Sequence, residues 1–136
     1  MIEPSLALQK AVASRLKSEP AVLALVPAAS IADRHGLPTL SPCVIIGADQ
    51  TIREPISLAD RSARVVLSIH VWVKGQSLVA VKQLAGAVAV ALRLPLIVDG
   101  HRVVQFAFSQ TQFMRDPGGE WGHGVMTFES LVVETA

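Results

Sequence analysis

The sequence contains no tyrosine, no asparagine and a single cysteine, Cys43. One thiol cannot close an internal disulfide, so the chain must hold together by packing and suits a reducing compartment. Cys43 lies in the apolar run Cys43-Val44-Ile45-Ile46, where a thiol serves as a small buried hydrophobe. Aromatic residues are scarce. Two tryptophans and four phenylalanines, well dispersed, do not make a base-stacking platform for single-stranded nucleic acid. Charge is scarce too, at 17% of residues and a net +1. No Lys/Arg run is present to neutralise a phosphate backbone, which argues against tight DNA binding. The longest apolar run, Leu84–Leu92, is about half of what a bilayer-spanning helix needs. Met1-Ile2-Glu3-Pro4 has no basic n-region, so no export signal and no membrane partner are expected.

What is present is apolar: 51% of the 136 residues are hydrophobic. A chain of this length is expected to form a single domain over residues 1–136, burying roughly 68% of its unfolded surface. So few charges leave room for faces covered by other subunits.

Pro4 and the Leu8, Val12, Leu16 stripe predict a helix over residues 4–17. Ser18-Glu19-Pro20 opens a second short helix that Pro27 ends. Cys43–Gly47, bounded by turn formers, reads as a buried strand. Residues 48–62 are the most polar stretch and read as a long loop or arm. From Arg64 to Lys74, Val65, Leu67, Ile69, Val71 and Val73 alternate with Ser68, His70 and Trp72, which predicts a strand with one core face. A helix follows to about Arg93, with a main stripe of Leu78, Val81, Leu84, Val88 and Leu92. A weaker stripe, Val79, Gly86 and Val90, calls for a second cover, either more core or another subunit. Asp99-Gly100 is a hairpin signal between Ile97-Val98 and His101–Val104. Asp116-Pro117-Gly118-Gly119 is a second turn, leading to a last strand that carries Met126, Phe128, Ser130 and Val132 on one face. The fold class is α+β, a mostly antiparallel sheet with helices.

The residues offer little chemistry. His35, His70, His101 and His123 show no metal-ligand spacing with one another or with Cys43. Gly118, Gly119, Gly122 and Gly124 lead into a strand and lack the Lys-Ser/Thr ending of a phosphate loop. Asp116 and Glu120 flank a turn, where exposed acids are commonplace. No nucleophile elbow or zinc-protease helix occurs. Catalytic, cofactor-binding and metal-binding residues are therefore not expected.

Motif order carries more. Leu6-Ala-Leu-Gln-Lys-Ala-Val-Ala-Ser-Arg-Leu-Lys, Glu19-Pro-Ala-Val-Leu-Ala-Leu-Val, Ile31-Ala-Asp-Arg, Pro42-Cys-Val-Ile-Ile-Gly and Leu67-Ser-Ile-His-Val-Trp come in sequence. Gly100-His-Arg-Val-Val, Arg115-Asp-Pro-Gly-Gly and His123-Gly-Val-Met-Thr-Phe-Glu-Ser-Leu-Val-Val-Glu follow. Together they resemble the tail-terminator, or tail-completion, family of long-tailed phages and phage-like gene transfer agents. The resemblance implies a curved sheet flanked by helices and assembly into a homo-oligomeric ring, typically hexameric. It also implies a place at the head-proximal end of the tail in the particle, assembled in the host cytoplasm. The ring would stop tube growth, bind the tail tube protein and the head-completion protein, and let DNA pass through its lumen as cargo. The lack of Asn and Tyr with abundant Ala and Val hints at a GC-rich bacterial source.

Interface candidates are Ile52, Arg53, Glu54, Ile56, Leu58, Asp60, Arg61 and Arg64 in and beside the polar stretch, with Arg115 and Asp116 at the second turn. The strands Arg64–Lys74 and Val125–Val133 are expected to form the ring wall. Three other readings stay open: another head–tail connector or minor tail protein, a small enzyme or ligand-binding domain using His70 and Arg64, and a plain homodimer.

Overall fold

A computed structural model describes residues 2–33, 40–53, 61–75 and 77–135. The elements run α1 (Pro4–Ser18), α2 (Pro20–Leu23), a 3₁₀ turn (Ala28–Ser30), β1 (Ile31–Ala32), β2 (Cys43–Arg53), β3 (Ser62–Lys74), α3 (Val79–Ala91), β4 (His101–Arg115) and β5 (Trp121–Glu134). The five strands form one sheet in the order β1-β2-β3-β5-β4. β1 pairs with β2 in parallel and all other neighbours are antiparallel, an α+β fold with a mixed, mostly antiparallel sheet.

The helices lie on one face, with α1 toward β2 and α3 toward β5 and β4. The alternation read in β3 decides which face they cover. Val65, Leu67, Ile69 and Val71 are buried, together with Met126, Phe128 and Val132 of β5. From above, α1 supplies Leu8, Val12 and Leu16, and α3 supplies Val81, Leu84 and Val88. Each of these side chains contributes about 1.5–3 kcal/mol by leaving water.

Local chemistry sets the ends of α1. Glu3 caps it by accepting from the Leu6 N–H at 3.0 Å, and Pro4 fills the first turn. Near its other end, Arg15 donates to three main-chain carbonyls around the end of α3: Ala91 (3.1 Å), Leu94 (3.4 Å) and Pro95 (2.8 Å). One planar guanidinium thus satisfies acceptors that a helix C-terminus leaves without intrahelical partners.

Two expectations need correction, and one alternative left open is resolved. The polar stretch is not a loop from Ala48 onward: β2 continues to Arg53 and β3 begins at Ser62. The pairing slips between Ile46 and Asp49, with Ala48 at φ 42°, so a bulge hides the strand from simple alternation. The remainder of that stretch, with Glu54, Ile56, Leu58 and Asp60, lies outside the described residues, as does His35. Ile97-Val98 is not a strand. Val98 makes one bridge to His101, and Ile97 is 94% exposed. Finally, no described residue of the chain covers the weaker stripe of α3, and Val79 and Val90 remain exposed.

Candidate interaction surfaces

The predicted interface residues separate into two groups. Ile52 and Arg53 end β2, and Arg61 and Arg64 sit at the start of β3; Ile52 pairs with Arg64 in register. Arg64 reaches Glu129 of β5 at 3.6 Å, an exposed ion pair worth about 0–1 kcal/mol. Arg115 pairs with Gly122 at the opposite end of the strands. The length of β3 puts that end about 40 Å away. Asp116 serves its turn: its Oδ1 accepts from the main-chain N–H groups of Glu120 (2.9 Å) and Trp121 (3.1 Å).

The sheet face without helices carries a cluster that sequence reading missed. Register places Trp72 opposite His123 and Lys74 opposite Trp121. The Trp72 and His123 rings stack with centroids 3.6 Å apart and planes 9° from parallel. His70 Nδ1 lies 2.9 Å from His123 Nε2, one ring donating and the other accepting. Trp121 meets Trp72 edge-on, and Cys43 and Ile45 complete the cluster. Burial pushes the His70 pKa down. Burial, with the neighbouring His70, lowers that of His123 to about 4. Both shifts favour the uncharged form of the pair at physiological pH. The only sequence signal was His70 and Trp72 two residues apart on one face; His123 joins them through strand register, which no local pattern reveals.

Near α1, Glu3, Asp33 and Asp49 gather beside β2. Burial, opposed by a bond to its own main chain and reinforced by the charges of Glu3 and Asp33, raises the Asp49 pKa. Burial acts to raise that of Glu3, but hydrogen bonds from Ser5, Thr51 and the Leu6 main chain prevail and lower it. Thr51 Oγ1 donates to Glu3 Oε1 at 2.6 Å, and Gln9 Nε2 donates to Asp33 at 3.1 Å. Across the sheet, a cleft of about 560 Å³ lies between the α3–β4 connection and β4, bordered by Arg93, Ile97, His101 and Arg102. His101 Nδ1 donates to Asp99 O at 2.9 Å, and its Nε2 has no partner among the described residues. Among the described residues no group of three or more His, Cys, Asp or Glu is placed to hold a metal ion. No described helix is long and apolar enough to cross a membrane.

The family model for tail completion protein gp17 matches residues 10–133, nearly the whole chain. The chain belongs to this family. Solved structures agree on the fold. A chain in the virion of a native gene transfer agent particle superposes with a TM-score of 0.81 at 22% identity, covering 95% of this chain and 96% of that one. The gp17 protein of bacteriophage SPP1 gives a TM-score of 0.62 at 24% identity, covering 93% and 89%. A search of curated proteins finds no match. As a member of the tail completion family the chain has a structural role in the tail.

Proposed function

We propose that the chain is a tail terminator: several copies form a ring on the head-proximal end of the tail tube, stop its polymerisation and present a surface to the head-completion protein. The observation that carries this reading is the family match over residues 10–133, with a fold shared along 95% of the chain by a component of a gene transfer agent particle. The composition is consistent with a conduit. A net charge of +1 and no basic run give passing DNA little to bind.

Ring assembly would also account for the excess of apolar surface, since a heterologous contact repeated about an axis closes on itself and covers sheet margins. In this reading β3 and β5 form the wall. The segment from Ile52 to Arg64, including Glu54, Ile56, Leu58, Asp60 and Arg61, reaches a neighbouring subunit or the tube, and Arg115 and Asp116 mark a second contact at the opposite end.

Deleting the gene in a producing strain tests the reading by electron microscopy of the particles. Tubes of uncontrolled length that fail to join heads are expected. Tails of normal length on full heads would reject it. Tails of normal length without heads would favour a different head–tail connector.

A further inference from the structure

We propose that the groove between α3 and β4 is a docking site for another protein, and that it takes an extended, acidic segment with an apolar residue at every second position. The proposal goes beyond the terminator reading and does not depend on ring formation.

Two depressions lie in a row along β4. The cleft of about 560 Å³ lies between the α3–β4 connection and the first residues of the strand. A second, of about 480 Å³, lies between Ala85, Gly86 and Ala89 of α3 and Phe108, Thr111 and Phe113 of β4. Phe106, Phe108 and Thr111 stand opposite Ser130, Phe128 and Met126 of β5, so both depressions open on the helix side of the sheet.

The groove is apolar and uncovered. Val79 and Val90 of α3, Leu94 and Ile97 of the connection, and Val104 and Phe108 of β4 are each about half exposed or more. Large apolar groups gathered in one strip mark a contact surface, which scattered exposure does not. Within the cleft, His101 is only 8% exposed, and its Nε2 has no partner among the described residues. A buried acceptor left unmet by the fold is the kind a bound donor completes.

The strand edge and the charges define the occupant. Among the described residues β4 has one strand neighbour, β5, which leaves its other side for a strand from elsewhere. Bulges between Val103 and Gln105 and between Phe108 and Gln110 interrupt that edge. Such bulges discourage pairing with an identical copy, so an unlike partner is favoured. The two linings hold Lys82, Arg93 and Arg102 and no Asp or Glu. Lys82 rests over the Phe113 ring, and none of the three bases makes an ion pair among the described residues. Acids of the neighbouring elements lie outside the linings: Asp99 and Glu134 beside one end, Asp116 and Glu120 in the turn at the other, and Glu129 paired with Arg64. An extended segment turns alternate side chains to opposite sides. One set can therefore pack on the apolar floor while carboxylates of the other reach the bases on the rim.

The test uses the whole chain and a fluorescein-labelled peptide of alternating valine and glutamate, about ten residues long so that it spans both depressions. Binding is read by fluorescence anisotropy. Saturable binding is expected, about tenfold tighter than that of a valine–lysine peptide of equal length. Gly86→Leu covers the groove from within. A Cβ at this position meets nothing within 4 Å, so the fold accepts the side chain that fills the groove. This variant should keep a thermal midpoint at or above that of the wild type and lose about tenfold in peptide affinity. Lys82→Glu with Arg93→Glu should lose as much, and circular dichroism checks that it is folded. The proposal is overturned by no saturable binding, by equal binding of the two peptides, or by undiminished binding to either variant. A labelled oligothymidine that binds as well as the acidic peptide would overturn it too, as would wild-type dimers that Gly86→Leu turns into monomers. Each of these results leaves the terminator reading standing, since that rests on tail length and head joining.

Discussion

The two faces of the sheet are built from the same strands and held by different physics. Under the helices, Leu67, Ile69, Met126 and Phe128 have at most 1% of their surface exposed, and the face is dry and close-packed. On the other face Cys43, Ile45 and Trp72 are buried, while His70, His123 and Trp121 are only half covered and cohere through ring stacking and one hydrogen bond. The first face makes the domain stable. The second leaves a structured surface free, as a subunit of a larger assembly requires.

Removing a large core ring should give the largest effect. Phe128 stacks with Phe106 at 5.2 Å and contacts Phe108 at 5.4 Å. Phe128→Ala should cost about 3–5 kcal/mol in denaturant unfolding. If it costs less than Trp72→Ala, the helix-covered face is not the dominant core.

Adding atoms to the covered face comes next. A Cβ on Gly124 would lie 2.8 Å from Val71 Cγ2 and 3.1 Å from the Phe113 ring. Gly124→Ala should therefore destabilise by about 1–3 kcal/mol through overpacking, seen as a lower urea midpoint.

Acid should act on the open face. The unfolded chain takes up a proton on His123 near pH 6.5, the folded chain only near 4. The unfolded state binds more protons between these values, so stability falls as pH drops from 6.5 and the loss levels off below about 4. His123→Phe keeps a ring over Trp72 and should flatten this acid limb in urea titrations; an unchanged limb would place the acid sensitivity elsewhere. The smallest effect is expected at the rim. Arg64→Ala, which removes the exposed pair with Glu129, should shift stability by less than about 1 kcal/mol in the same assay.

The helix-covered face was largely legible in the sequence because its signals are local. Alternation from Val65 to Val73 named the buried side of β3, and Asp99-Gly100 and Asp116–Gly119 marked the turns around β4. β2 was read only to Gly47 because the bulge at Gly47-Ala48 breaks the alternation and the residues beyond it are polar and exposed. Ile97-Val98 resembled a strand in composition, but Ile97 faces solvent and, among the described residues, the single Val98 bridge is the only pairing beside it. The His70–His123 pair was illegible for another reason. It depends on β3 aligning with β5 so that Trp72 meets His123, a register fixed by the whole sheet. The two predicted interface groups lie at opposite ends of the strands.

The Arg15 clasp also bears on the order in which the molecule can form. The residues it holds lie 76 to 80 positions further along the chain. On the ribosome α1 emerges first, yet it has nothing to close upon until Pro95 has been made. Its stripe of Leu8, Val12 and Leu16 must wait meanwhile, exposed, for a sheet and a third helix that do not yet exist. Closing this clasp is a late event that joins the two ends of a long loop. A nascent chain arrested before residue 95 is thus expected to be a target for chaperones, and the completed chain is not.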